Sequence, residues 1–211
     1  LRTDPKEGAG FMVTGEAGIG KSRLLVSFVA KLRAFPDFAS PVLSVRARRY
    51  RSRPYAAIVD LLLARLALAP DADADEARSA LRRHGIADAR SMEAFARLVG
   101  RDDAEGFEAS PRERDPDASQ ALLVLLQALL DPHGRDLFPP LVVVDDAHAL
   151  DPLSTEFLAY WIRNARVKPF AVLLAREAPA ELREAFPSFR PLKLGPLSDA
   201  DSRAMLLEAW P

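Results

Sequence analysis

The 211-residue sequence has no cysteine, so disulfide bonds, thiolate metal sites and a cysteine nucleophile are excluded. Long apolar runs are also missing, since no stretch approaches the roughly 18 to 20 residues that span a bilayer. The net charge is only −1, which provides no global field to attract nucleic acid or an acidic membrane surface. What remains is a chain long enough to bury a sizeable core as one large domain, or as a core with a small appendage.

The sequence does contain a glycine-rich octapeptide, Gly-Glu-Ala-Gly-Ile-Gly-Lys-Ser, which matches the phosphate-binding pattern G-x-x-x-x-G-K-[ST]. Glycines allow backbone N–H groups to turn around a β-phosphate, Lys21 carries positive charge to the β- and γ-phosphates, and the hydroxyl of Ser22 reaches Mg²⁺. The loop therefore predicts a site for a nucleoside triphosphate and Mg²⁺. The residues expected to bind the nucleotide are Gly15, Glu16, Ala17, Gly18, Ile19, Gly20, Lys21, Ser22 and Arg23.

The segments on either side of this loop have the patterns that such a site requires. Residues 11–14 form a short apolar run typical of a strand, and residues 21–32 carry apolar side chains at helical spacing. The phosphates would then lie at a helix N-terminus, where free N–H groups and the helix dipole favour anions. A glycine-rich turn without a ligand is the alternative interpretation, and the context argues against it.

An apolar strand followed by two acids supplies the second half of a nucleotide site. Residues 141–144 are aliphatic without alternation, as in a parallel strand covered on both faces, and Asp145 and Asp146 follow directly. Ligands of open α/β sheets bind at this edge, so we expect these acids to face the glycine-rich loop. Asp145 is predicted to associate with Mg²⁺, and Asp146 to orient or polarise the attacking water. Alternatively, Asp146 only caps the following turn.

Strand and helix patterns alternate along most of the chain. This alternation predicts an α/β fold, namely a P-loop NTPase with a doubly wound, mostly parallel five-stranded sheet and helices on both faces. The predicted strands are residues 11–14, 41–45, 141–145, 170–175 and 191–194, and the predicted helices are residues 21–32, 56–68, 75–84, 91–99, 118–130 and 152–164. Residues 70–117 interrupt the alternation, and we expect them to form a helical insertion with a mobile loop.

Four segments together resemble the signal-transduction ATPases with numerous domains. They are residues 13–25 with the loop, residues 144–154 with the acidic pair, residues 173–176 (Leu-Leu-Ala-Arg) and residues 192–198 (Leu-Lys-Leu-Gly-Pro-Leu-Ser). Similar sequences include the ATPase modules of large bacterial LuxR-type transcription regulators and of proteins joined to nucleotide cyclases or protein kinases. The resemblance implies an AAA+-related core that binds ATP or ADP with Mg²⁺. It also implies a switch that slow hydrolysis resets from an ATP-bound, often assembled, state.

The resemblance implies roles for two residues outside the motifs. Arg176 aligns with a polar or basic sensor of the γ-phosphate and is predicted to be catalytic together with Lys21 and Asp146. A surface arginine at a strand end is the alternative interpretation. Pro196 aligns with a proline that reports the nucleotide state to the next domain, and a simple turn proline would have the same pattern.

Two further features keep alternatives open. His148 precedes Ala149, which stands where similar sequences have tryptophan. His148 is interpreted as an ordinary polar turn residue rather than a phosphate sensor.

Arginines and tyrosines also cluster after the second predicted strand, where they could contact nucleic acid, form a solvated rim or supply an arginine to a neighbouring subunit. They are Arg46, Arg48, Arg49, Tyr50, Arg51, Arg53 and Tyr55. Charge runs are usually solvated, so we do not expect this chain to bind nucleic acid directly.

The predicted P-loop ATPase core comprises residues 1–197, and residues 198–211 are predicted to start a following, truncated helical domain. Ser198 and Asp201 have the spacing of a capping box, and an apolar helical pattern follows them. The chain begins without methionine and stops just after that pattern starts, so we expect it to be part of a larger protein.

The function that these residues favour is an ATP-binding regulatory module, a slow Mg²⁺-dependent ATPase switch in a multidomain bacterial signalling or transcription-regulating protein. The alternatives are a DNA-remodelling AAA+ ATPase, which DNA should stimulate, and a non-hydrolysing nucleotide-binding scaffold. Expected partners are the nucleotide, C-terminal output domains of the same protein, and other copies through nucleotide-dependent self-association. We expect a soluble, cytoplasmic location without membrane contact.

Overall fold

The computed structural model describes residues 10–35, 38, 40–48, 54–100, 116–130, 139–165, 168–201, 203 and 207. Its strands are β1 (Gly10–Thr14), β2 (Val42–Arg46), β3 (Leu141–Asp145), β4 (Phe170–Ala175) and β5 (Arg190–Lys193). They form one five-stranded sheet in the order β2-β3-β4-β1-β5, and every neighbouring pair is parallel. This arrangement confirms the predicted doubly wound P-loop sheet.

Helices cover both faces of the sheet, as predicted. They are α1 (Lys21–Arg33), α2 (Ala56–Arg65), α3 (Ala74–Arg83), α4 (Ala89–Val99), α5 (Pro116–Leu130), α6 (Pro152–Asn164) and α7 (Ala180–Ala185). On one face, Leu25 and Val29 of α1 pack against a cluster that includes Val13 and Val143. Helices α2 to α7 contribute to the larger cluster on the opposite face. No helix in the described part of the chain combines the length and apolar character needed to cross a membrane.

Strand β3 is buried along its length, which explains its unbroken aliphatic sequence. Val142 and Val144 are 0% exposed on the face covered by the larger cluster, and Leu141 and Val143 are nearly as buried on the other face. Both faces of a central parallel strand must be apolar because helices cover both. The hydrogen-bonded register then brings the ends of the strands together, with Asp145 beside Arg46 at the end of β2.

Helices α2 and α7 differ from the prediction for identifiable reasons. Helix α2 ends at Arg65 rather than at residue 68, because Ala67 adopts a left-handed conformation (φ 55°). The Leu68 amide donates to the Leu63 carbonyl (2.9 Å), and this bond closes a Schellman-type helix end. Helix α7 was not predicted, since six residues are too few to display helical periodicity.

The interrupting region from residue 70 contains the two expected helices, with α3 shifted by one residue toward the N-terminus and α4 beginning two residues earlier than predicted. Asp73 caps α3 and Asp88 caps α4, each accepting hydrogen bonds from amides of its helix. Most of the expected mobile loop, residues 101–115, lies outside the described residues, and α5 begins at Pro116, two residues earlier than predicted.

Later in the chain, the Asp201 amide donates to Ser198 Oγ (3.1 Å), as a capped helix start requires. The division between residues 197 and 198 stays a prediction.

Candidate nucleotide-binding site

The glycine-rich loop lies between β1 and α1, so a strand enters it and a helix leaves it, as the motif requires. Gly20 caps α1 in a left-handed conformation (φ 101°) that side chains rarely adopt. Gly15 meets a different constraint, because a Cβ there would lie 2.9 Å from the Leu194 carbonyl oxygen. The loop therefore needs glycine for backbone conformation at Gly18 (φ 81°) and Gly20, and for close packing against the segment that follows β5 at Gly15.

Lys21 is the most buried charged residue of the loop, with 8% of its surface exposed. Its Nζ donates to the carbonyl oxygens of Gly15 and Glu16, at 2.8 Å each. These bonds hold the ammonium group across the loop at the N-terminus of α1. The lysine charge and the helix dipole therefore favour an anion at the same place.

Ser22 and Asp145 are 123 positions apart in sequence and are joined by a hydrogen bond, in which Ser22 Oγ donates to Asp145 Oδ2 (3.1 Å). A hydroxyl and a carboxylate are hard oxygen donors of the kind that Mg²⁺ prefers, with water and phosphate completing the shell. The described residues contain no group of three or more His, Cys, Asp or Glu arranged to hold a metal ion. The donor set thus fits an ion that binds through one or two protein oxygens and the phosphates of its ligand.

Asp146 follows in a left-handed conformation (φ 54°), and its amide donates to Asp145 Oδ1 (3.0 Å). Its side chain accepts a hydrogen bond from Arg46, with 2.9 Å between Arg46 Nε and Asp146 Oδ2. Arg46 Nε also lies 3.9 Å from Asp145 Oδ2. The hydrogen bond to Asp146, with the charges of both carboxylates, raises the pKa of the Arg46 guanidinium.

Arg46 is the site residue whose place sequence reasoning did not find. The sequence placed it in an arginine cluster without a defined role, but the register of β2 against β3 sets it opposite Asp145. Arg48 is exposed, and Arg49, Tyr50, Arg51 and Arg53 lie outside the described residues. Tyr55 is 5% exposed and packs edge-on against Phe157, so its ring is not free to stack on a base.

Arg176 lies directly after β4, and its carbonyl accepts a hydrogen bond from the Gly15 amide (3.2 Å). This bond ties the end of β4 to the beginning of the loop. Arg176 is exposed and lines both clefts described below. The sensor role that the resemblance implies for Arg176 stays a prediction.

A cavity of about 300 Å³ brings most of the predicted site residues together. Four of the residues that line it are cationic and two are acidic, a formal net charge of +2 that suits a polyphosphate. A second cleft of about 1040 Å³ shares Arg176 with it and contains the remaining predicted loop residues, Gly15, Glu16 and Ile19. The smaller cavity is lined by Ala17, Gly18, Gly20, Lys21, Ser22, Arg23, Arg46, Asp145, Asp146 and Arg176.

The structure also places the three other residues that the sequence analysis considered individually. Pro196 lines the larger cleft. Ala149 is partly buried and packs against the main hydrophobic cluster. His148 is partly buried, and its Nδ1 has no hydrogen-bond partner within the described part of the chain. Neither His148 nor Ala149 lines the phosphate cavity.

A parallel sheet in this order, with a glycine-rich loop after β1 and acids at the end of β3, defines a P-loop nucleotide-binding fold. Sequence comparison agrees, since the family model described as "AAA ATPase domain" matches residues 2–174. The chain belongs to this family, and it is accordingly a nucleotide-binding ATPase module of the AAA type.

Individual relatives add little about the wider protein. An uncharacterized protein of Rhizobium meliloti (strain 1021) is 30% identical over 229 aligned residues, which cover 97% of this chain. The chain spans 20% of the length of that curated relative. The crystal structure of Cdc6p from Pyrobaculum aerophilum matches with a TM-score of 0.53 and 14% identity, over 97% of this chain and 44% of that one. At this identity the likeness concerns the fold alone.

Proposed function

We propose that this chain is the ATP-binding switch of a larger regulatory protein and hydrolyses ATP slowly with Mg²⁺. The observation that carries the proposal is the 3.1 Å hydrogen bond between Ser22 Oγ and Asp145 Oδ2, close to the buried Lys21. It joins the two oxygen donors suited to Mg²⁺ within a cavity whose charge complements a polyphosphate.

In this proposal the loop amides, Lys21 and Arg23 bind the phosphates, and Ser22 and Asp145 hold Mg²⁺. The ion would offset charge on the β- and γ-phosphates. The larger cleft, whose lining includes Phe186, Phe189 and other apolar side chains, is the candidate site for the base and ribose. It adjoins the phosphate cavity at Arg176, as one continuous nucleotide site requires.

The proposed reaction transfers the γ-phosphoryl group to water. Water attacks the γ-phosphorus, the bond from that phosphorus to the β–γ bridging oxygen breaks, and ADP and phosphate are released. Asp146 orients and polarises the water by accepting a hydrogen bond from it; one water proton stays on the released phosphate and the other passes to solvent. Lys21 and Arg176 offset the negative charge on the transferred group. Turnover should be slow, because the hydrogen bond from Arg46 occupies Asp146 Oδ2 and competes with the attacking water for that carboxylate.

The regulatory role rests on the sequence resemblance and on the contact between the loop and the segment after β5. The Leu194 amide donates to the Thr14 carbonyl (2.8 Å), and Leu194 packs against Gly15. The chain then continues to the capped helix start at Ser198. Nucleotide binding would therefore act directly on the segment that leads toward the proposed output domains.

Asp146→Asn tests this function, with Asp71→Asn at an exposed position as the matched control. The expected result is that Asp146→Asn binds MgATP but loses most phosphate release in a steady-state assay, while Asp71→Asn behaves like the wild type. Equal phosphate release by Asp146→Asn and wild type would contradict the assigned role. Absence of turnover in every protein despite ATP binding would favour the scaffold function, and strong stimulation by DNA would favour the remodelling ATPase.

A further inference from the structure

We propose that a groove beside helix α1 binds an amphipathic α-helix from outside this chain, one that carries acidic side chains beside its apolar row. The groove runs along one face of the sheet, whereas the proposed nucleotide site lies where the strands end. This binding would be a second function of the chain, independent of the nucleotide.

One face of the sheet has fewer helices than its width can hold. Neighbouring strands lie about 4.8 Å apart, so five strands are about 19 Å wide, whereas a helix is about 10 Å across. In the described part of the chain, α1 is the helix on this face, and helices α2 to α7 contribute to the cluster on the other face. A strip about as wide as one helix is therefore left open beside α1.

The low burial of α1 indicates the same opening. Helices α1 and α6 both have 13 residues, but seven residues of α6 are buried and in α1 only Lys21 is. Leu24 and Phe28 lie one turn apart on the same side of α1 and are 44% and 38% exposed. Because a helix that packs on a sheet normally buries its apolar stripe, α1 lacks a neighbour on this side.

The exposed side of α1 forms one wall of a groove of about 200 Å³, which we call the α1 groove. Phe11 and Val13 of β1 lie in its floor, and Leu192 of the outer strand β5 lies at its far side, 42% exposed. The residues that line it are all apolar except Lys21. A concave apolar surface of this kind suits a row of apolar side chains on a helix.

The elements around the α1 groove carry charge of one sign only. Helix α1 and strands β1, β4 and β5 contain no Asp or Glu. Lys31 is exposed three residues after Phe28 on the same side of α1, and Arg190 is exposed on β5 opposite Phe11. These two cations flank the groove, so a complementary helix carries acidic side chains beside its apolar row.

The same features argue against two other occupants. Two copies joined through this groove would bring Lys31 and Arg190 of both copies together, with no acid in these elements to offset them. An anionic membrane would attract the cations, but a flat lipid surface would not reach the floor of the groove, whereas the side chains of a helix would.

Fluorescence anisotropy with two labelled helical peptides of about 14 residues tests the proposal. The peptides share a row of leucines three or four residues apart and differ in the flanking residues, which are glutamate in one and lysine in the other. The 211-residue chain should bind the glutamate peptide with micromolar affinity and the lysine peptide about tenfold more weakly. The double variant Lys31→Glu with Arg190→Glu should reverse this preference.

Two substitutions on α1 form a matched pair. Phe28→Gln should weaken binding of the glutamate peptide about tenfold, whereas Val26→Gln should not, because Val26 is exposed on the same helix but does not line the groove. The melting temperature of each variant checks that it is folded. Equal binding of both peptides, an unchanged preference in the double variant, or no binding by the folded wild type would overturn the proposal.

Two further measurements address the other occupants. Sedimentation of the chain alone should show a monomer, and the chain should not bind vesicles of phosphatidylserine and phosphatidylcholine. A dimer that Phe28→Gln dissociates would assign the groove to a second copy, and vesicle binding that Phe28→Gln abolishes would assign it to a membrane. Either result would overturn the proposal.

Discussion

Asp146 has a left-handed backbone (φ 54°) and forms an ion pair with Arg46. It directly follows Asp145, the proposed Mg²⁺ ligand. Non-glycine residues in this conformation are uncommon, and they are often found at functional sites. Asparagine tolerates it as well as aspartate does, so Asp146→Asn changes the charge and leaves the backbone as it is. The left-handed turn also re-aims the side chain away from the strand direction, which places it within reach of Arg46.

Gly20 gives a prediction at the same scale. Its φ of 101° is unfavourable for any side chain, yet a Cβ would meet no atom within 4 Å, so the cost of Gly20→Ala is conformational alone. We expect the free energy of unfolding to fall by about 1–2 kcal/mol. We also expect weaker nucleotide binding, because Gly20 precedes Lys21 in the loop. Urea unfolding and nucleotide titration measure the two effects.

Gly195→Ala is the matched control for that substitution. Gly195 also has open space around its Cβ position but does not have a left-handed φ. The change in its unfolding free energy should stay within about 0.5 kcal/mol. If Gly20→Ala and Gly195→Ala lowered the free energy of unfolding by similar amounts, backbone strain at Gly20 would not be the cause of the destabilisation.

Helix α4 gives a prediction at the scale of one element. The hydroxyl and the backbone N–H of Ser91 both donate hydrogen bonds to the Asp88 carboxylate. These two hydrogen bonds hold the pKa of Asp88 below its ordinary value. A depressed folded-state pKa contributes stability that is complete above the unfolded-state pKa and is lost as the pH falls through the folded-state pKa. Asp88→Ala should therefore lower the melting temperature at neutral pH, and the difference from wild type should shrink below about pH 4.

Melting curves at several pH values, with exposed Asp71→Ala as the control, measure this dependence. A difference between wild type and Asp88→Ala that stays constant down to pH 3 would contradict the role of the charged cap.

Most elements were predictable because their sequence patterns are local. The buried β3 and the helix that Asp151 and Pro152 begin were both identified, and in the structure Asp151 Oδ1 accepts from the Ser154 amide (2.9 Å). The end of α2 was not predictable, since nothing in the sequence marks Ala67 as left-handed. The place of Arg46 was also hidden, because it depends on which strand pairs with β3, and strand pairing is a property of the whole sheet.

At the scale of the whole molecule, the site exists only when distant segments meet at one edge of the sheet. The ends of β1, β2, β3 and β4 provide its residues, and the segment after β5 packs against the loop. A nucleotide that bridges these ends binds the folded chain and not the unfolded one. Binding should therefore stabilise the entire domain, by about 2.7 kcal/mol when the free ligand is at 100 times its Kd.

Thermal unfolding with and without MgATP measures this stabilisation. The melting temperature should rise with ATP concentration for the wild type and should not change for Lys21→Ala. If MgATP raised the melting temperature of the wild type and of Lys21→Ala equally, the nucleotide would bind outside the loop at residues 15–22.

Calorimetric titration of MgATP and MgADP into the wild type, Lys21→Ala and Lys31→Ala is the most direct test that the loop at residues 15–22 binds nucleotide phosphates. Lys31 is an exposed lysine near the other end of the same helix, which makes it a matched control. The wild type and Lys31→Ala should bind both nucleotides, and Lys21→Ala should lose about 100-fold or more in affinity, because its charged donor is nearly buried in the loop. Unchanged binding by Lys21→Ala, or no binding by the folded wild type, would contradict the assignment of the site.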